Sequence, residues 1–101
     1  MNVAELIDAA KRKAGSYKAV AEQIGVHQNR LTEWKKGAWK PDATEIAFLA
    51  KTAELPVLET VAEVEATMDG RFGNIWLIAL QEWKESISEG DRPRLLRAGR
   101  L

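Results

Sequence analysis

Apolar residues recur along this chain at the three-and-four spacing that places them on one side of a helix. Val3, Leu6, Ile7 and Ala10 make the first such stripe, and Asn2 with Glu5 supplies a capping box at its start. Gly15 ends it. Ser16 then caps a second helix that turns Tyr17, Val20, Ala21 and Ile24 inward, and Gly25 stops it. Leu31 and Trp34 mark the buried side of a third helix, closed by Gly37 and followed by the loop Ala38-Trp39-Lys40-Pro41. Asp42 and Glu45 form a second capping box, opening a fourth helix with Ile46, Leu49, Ala50 and Ala53 inward. Pro56 suits the first turn of a fifth, where its missing N–H costs nothing. That helix is expected to bury Val57, Val61, Val64 and Met68 and to end at Asp69-Gly70. A sixth runs from about Phe72 to Ser88. Alternating strand patterns, internal repeats and low-complexity runs are absent from the sequence. The predicted class is all-α, divided into residues 1–54, a helical extension over 55–89, and a basic, flexible tail over 90–101.

The stretch AVAEQIGVHQNRLTEWKKG, residues 19–37, asks for a steep crossing of two short helices over three or four residues. Glycine reaches the left-handed backbone region that such a turn requires at no steric cost. A small residue, Ala21, four before Gly25, lets the helices approach. Val26, Leu31 and Trp34 then tie the third helix to the core. At about 100° per residue, its outward positions are Asn29, Thr32, Glu33 and Lys36, with Gln28 at the exposed N-terminal end. Gln and Asn can pair bidentately with adenine, Thr can hydrogen-bond a base or touch a thymine methyl, and Lys can reach guanine or phosphate. A helix N-terminus also favours negative charge in front of it.

The pattern Tyr17-x-x-x-Ala21-x-x-x-Gly25-Val26, then Leu31 and Trp34, then Gly37 and Pro41, resembles the helix-turn-helix of lambda-repressor-like (Cro/cI, XRE-type) regulators. The likeness covers about residues 2–54. It implies a lambda-repressor-like bundle followed by two additional C-terminal helices, with the second helix of the motif in the DNA major groove. Carried over, Gln28, Asn29, Thr32 and Glu33 become the base-reading candidates. Phosphate contacts fall to Tyr17, Lys18, His27, Lys35, Lys36, Trp39 and Lys40. Four of these positions carry an alternative. His27 stands where the family usually has Ser or Thr as N-cap, so it either caps the helix or meets phosphate. Tyr17 replaces a common glutamine, and either its hydroxyl meets phosphate or its ring packs. Glu33 either accepts from cytosine N4 or pairs with Arg30 or Lys36. Trp39 either faces DNA or joins the core. Further on, Leu55-Pro56-x-Leu58-x-x-x-Ala62-Glu63-x-Glu65-Ala66 with a downstream tryptophan is similar to a small group of phage-related proteins, which implies a phage or prophage origin.

Charge is informative only when the chain is divided. The net charge of the chain is zero, yet residues 1–40 hold 8 Lys/Arg against 4 Asp/Glu, residues 41–90 hold 3 against 10, and residues 91–101 hold 4 against 1. The positive charge that suits a polyanion lies in the first 40 residues and the last eleven, where Arg92, Arg94, Arg97 and Arg100 could each neutralise a phosphate. The sequence has no cysteine and one histidine, so disulfides and thiolate metal sites are ruled out, and no metal or cofactor is expected. No Ser/His/Asp set, glycine-rich phosphate loop or apolar carboxylate pair argues for an enzyme, and no small-molecule ligand is expected. No apolar run approaches the ~20 residues that cross a bilayer, and no signal-peptide layout opens the chain. A cytoplasmic protein of a bacterial host cell is the default.

The sixth helix carries two apolar stripes where a surface helix needs one. Phe72, Trp76, Ala79, Leu80 and Trp83 form the first, Ile75 and Ile78 the second. Either a second subunit covers the extra side, with Ile75, Trp76, Ile78, Ala79 and Trp83 at a homodimer interface, or the helix threads the middle of the monomer. A dimer suits a reader of double-stranded operator DNA, because one helix reads only a few base pairs. The expected function is therefore a sequence-specific transcriptional regulator, a repressor or Cro-like protein. Its rival is a protein-interaction module, such as an antitoxin whose acidic C-terminal helices hold a basic partner.

Overall fold

A computed structural model describes residues 1–68 and 73–88. All secondary structure in these residues is helical. Six helices follow one another: α1 Val3–Ala14, α2 Tyr17–Ile24, α3 Gln28–Lys36, α4 Ala43–Thr52, α5 Val57–Met68 and α6 Gly73–Ser88. The expected stop at Asp69-Gly70, the start of the α6 stripe at Phe72, and the basic tail all lie outside the described residues.

Local chemistry sets the helix ends. Asn2 accepts from the Glu5 N–H at 2.9 Å while Glu5 accepts from the Asn2 N–H at 2.9 Å. Asp42 and Glu45 repeat this exchange at 2.7 and 2.9 Å. Each box satisfies two N–H groups that a helix start otherwise leaves without a partner. Ser16 Oγ caps α2 through the Ala19 N–H at 3.0 Å. Gly15, Gly25 and Gly37, with φ of 104°, 76° and 80°, end α1, α2 and α3 in the left-handed region. The α4 end departs from the sequence pattern. Ala53 is its C-cap, and the left-handed position falls on Glu54, at φ 58°. The Leu55 N–H then closes the end by donating to Ala50 O at 2.9 Å. Pro56 stands one residue before α5, and its carbonyl accepts from the Thr60 N–H at 3.0 Å.

The core is shared by α1 to α5. Leu6, Ile7, Ala10, Val20, Leu31, Trp34, Ile46, Leu49 and Ala50 are buried, and Val61 and Val64 from α5 join the same cluster. Burying one such large side chain contributes about 1.5–3 kcal/mol. These contacts, rather than helix propensity, decide which face of each short helix points inward. Helix α1 touches α2, α3 and α4, α5 packs on α4, and α6 packs on α5.

Two inward assignments are corrected. Val57, in the first turn of α5, is 40% exposed, and the buried stripe of that helix starts one turn later, with Val61 and Val64 in the core cluster. Among the described residues of the α6 stripe, Leu80 is buried, Trp76 and Trp83 are half-buried, and Ala79 is exposed. Helix α6 does not thread the middle of the monomer. It lies against α5, and Ile75, Leu77 and Ile78 stay 60%, 52% and 53% exposed.

Candidate nucleic-acid interface

The turn between α2 and α3 is built from Gly25, Val26 and His27. Gly25 N–H and Val26 N–H both donate to Ala21 O, at 2.9 and 3.0 Å, so one carbonyl fastens the whole bend. Val26 is half-buried and packs on the core. His27 serves as the N-cap of α3: its Nδ1 accepts from the Asn29 N–H at 3.1 Å. An imidazole here does what a Ser or Thr hydroxyl usually does, which favours the capping alternative for this residue.

Leu31 at 1% exposure and Trp34 at 3% pin one side of α3 to the core. The opposite side therefore projects outward. Gln28, Asn29, Thr32 and Lys36 are all exposed, whereas Glu33 is half-buried. Among the described residues Glu33 makes no ion pair, so the expected pairing with Arg30 or Lys36 is not formed. Trp39 is 65% exposed, which removes it from the core. It borders a groove of about 410 Å³ with Arg30, Glu33, Trp34 and Lys40. A second groove, about 280 Å³, runs along Tyr17, Leu31, Thr32, Lys35 and Lys36.

The cationic candidates divide by what already holds them. Lys18 and Lys36 are exposed and make no hydrogen bond or ion pair among the described residues. Lys40 instead donates to Met68 O at 3.0 Å, supplying a positive charge to the C-terminal end of α5. Lys35 donates to Asp8 Oδ1 at 2.8 Å and to the Tyr17 hydroxyl oxygen at 2.9 Å, while the Tyr17 hydroxyl donates to the same Asp8 oxygen at 2.8 Å. The Tyr17 ring lies 4.8 Å from the Lys11 ammonium and 5.0 Å from that of Lys35, within cation–π range. Hydrogen bonds from Lys35 and then from Tyr17 lower the Asp8 carboxyl below its ordinary 3.8. The Asp8 bond likewise raises Lys35 above its ordinary 10.5, with Tyr17 adding to it.

Asp8 is the residue that the sequence pattern did not mark as a member of this region. Asp8 sits between buried Ile7 and Ala9 and gives no local sign of its partners, which lie 9 and 27 residues away. Arg30, named above only as a partner for Glu33, is exposed on α3, and the folded loop brings Trp39 to the same groove.

The residues assigned to an interface between subunits, Ile75, Trp76, Ile78, Ala79 and Trp83, all lie on α6. Trp76, Ala79 and Trp83 line an apolar groove of about 310 Å³ together with Leu58, Ala62 and Leu80. Ile75 and Ile78 are exposed, as is Leu77, which the two stripes did not include. Among the described residues no helix is long and apolar enough to cross a membrane, and no group of three His, Cys, Asp or Glu side chains could hold a metal ion. No family model matches the chain, and neither a curated protein nor a solved structure matches it.

Proposed function

We propose that this chain is a sequence-specific DNA-binding regulator of transcription, with α2 and α3 acting as a lambda-repressor-like helix-turn-helix and α3 as its reading helix. The observation that carries the reading is the division of α3 into two sides. Leu31 and Trp34 are buried, while Gln28, Asn29, Thr32 and Lys36 project together into solvent. Those side chains are a donor and acceptor set matched to base edges in a major groove. Lys18, Lys36 and Trp39 are exposed and suit phosphate contacts. The capped N-terminus of α3 would favour a phosphate of such a duplex in front of it.

The regulator acts as a homodimer through α5 and α6. Exposed Ile75, Leu77 and Ile78 on one helix form an apolar surface of the kind that marks an interaction site. Two α3 helices would then enter successive major grooves about 34–36 Å apart, and bound dimer would exclude polymerase from a promoter. Regulation in this manner suits a phage or prophage repressor or Cro-like protein. The same exposed α6 surface supports a second reading, in which the acidic C-terminal helices hold a basic partner protein as an antitoxin does.

Electrophoretic mobility shifts with the DNA flanking the coding region test the first reading. A sequence-specific shift that survives excess random duplex is the expected result. Absence of any shift, together with a stable complex between α5–α6 and a basic protein, would replace it by the second.

A further inference from the structure

We propose that Asp8 is a built-in competitor for phosphate, holding Lys35 and the Tyr17 hydroxyl away from the DNA backbone and so setting the sequence-independent part of the affinity. This inference rests on the reading of α3 as the helix that meets DNA.

One oxygen of Asp8 receives both the Tyr17 hydroxyl and the Lys35 ammonium at 2.8 Å, and Lys35 closes the triangle on the Tyr17 oxygen at 2.9 Å. A phosphate oxygen would take that same position, because carboxylate and phosphate accept charge-assisted hydrogen bonds from the same donors. Location supports the exchange. Tyr17 and Lys35 line the groove that also contains Thr32 and Lys36, on the outward side of α3. Access supports it too. The side chains of Lys35 and Asp8 are 30% and 43% exposed, so a phosphate reaches them without any unfolding.

The energetic consequence follows from what must be exchanged. A phosphate that engages Lys35 first displaces a carboxylate, gaining one charged hydrogen bond for another. The displaced Asp8 then stands beside the phosphate as a like charge, which is unfavourable. Lys35 therefore adds little net binding while Asp8 is present. With Asp8 neutralised, Lys35, Tyr17 and the nearby Lys11 become an uncompensated phosphate site. None of this touches the base-facing side chains Gln28, Asn29 and Thr32.

Anisotropy titrations of a labelled random-sequence duplex with the full chain, over a series of salt concentrations, test the proposal. Asp8→Asn should bind more tightly than wild type, with the slope of log K against log salt steeper by about 0.9, the value of one added phosphate contact. Lys35→Met alone should leave the wild-type slope nearly unchanged, and in the Asp8→Asn background it should abolish the gain. Unchanged or weaker binding by a folded Asp8→Asn protein overturns the proposal. So does a drop of about 0.9 in slope for Lys35→Met alone, a result that does not depend on the folding of the Asp8 variant. Failure of wild type to bind either random or flanking duplex at low salt overturns the DNA reading itself, and this proposal with it.

Discussion

Of the four left-handed residues at helix ends among the described residues, Gly25 and Glu54 call for opposite substitutions. Gly25 has φ 76° and nothing within 4 Å of where a Cβ would stand, so a side chain there meets no clash and the cost is conformational alone. Gly25→Ala should destabilise by about 1–2 kcal/mol, and Gly25→Val by more, because a β-branched side chain resists positive φ. Glu54 occupies the same region at φ 58° without being glycine. Glu54→Gly should relieve about 1–2 kcal/mol of that strain while giving back about 0.4–1 kcal/mol through a freer unfolded chain. Thermal unfolding followed by circular dichroism should therefore show a fall in Tm for both Gly25 variants and a small rise for Glu54→Gly. An unchanged Tm in Gly25→Val would mean the turn relaxes to another conformation. The Asp8 carboxyl, lowered first by Lys35 and then by Tyr17, gives a pH signature at this same scale. A folded-state value below the unfolded one contributes stability above the ordinary 3.8 and loses it as pH falls through the lowered value. The stability difference between wild type and Asp8→Asn should be full at neutral pH and close in acid. A gap independent of pH would mean that Asp8 acts through packing instead of charge.

At the scale of the helix, α3 is short, and its own propensity cannot fix its orientation. Capping by His27 and burial of Leu31 and Trp34 do so. Gln28→Ala or Asn29→Ala should each cost about 1–3 kcal/mol at one base pair of a half-site and relax the preference there. Lys36→Met should instead weaken all duplexes alike and flatten the salt slope by about 0.9. A binding series against operators altered one base pair at a time separates these behaviours. Wild-type affinity and preference in both amide variants would show that this side of α3 reads nothing. Much of this helix was legible beforehand, since the Leu31–Trp34 spacing dictates its outward side. The partnership of Lys35 was not, because a lysine in the last turn of a basic helix looks alike whether it faces phosphate or a carboxylate from another helix.

For the whole molecule, the decisive feature is an apolar surface on α6 that α5 leaves uncovered. Ile75→Glu with Ile78→Glu should yield a folded monomer with much weaker operator binding, since each subunit would then bring only one half-site contact. Analytical sedimentation provides the check. A wild-type protein that stays monomeric at tens of micromolar removes the dimer from the account.

What the amino-acid order determined by itself is the set of interactions that close within about one helical turn. Capping boxes at Asn2–Glu5 and Asp42–Glu45, glycine stops at 15, 25 and 37, and the apolar stripes of α1 to α4 all involve residues three or four apart, so their energetics are written locally. The tertiary structure alone decided which surface residues are already engaged. Asp8 meets Tyr17 and Lys35, and Lys40 meets Met68 across 28 residues. It also decided that α6 lies beside α5 with Ile75, Leu77 and Ile78 outward. A helix that is apolar on most sides has no preferred inward face of its own. Only the neighbour it packs against selects one, and that neighbour is set by the path of the whole chain.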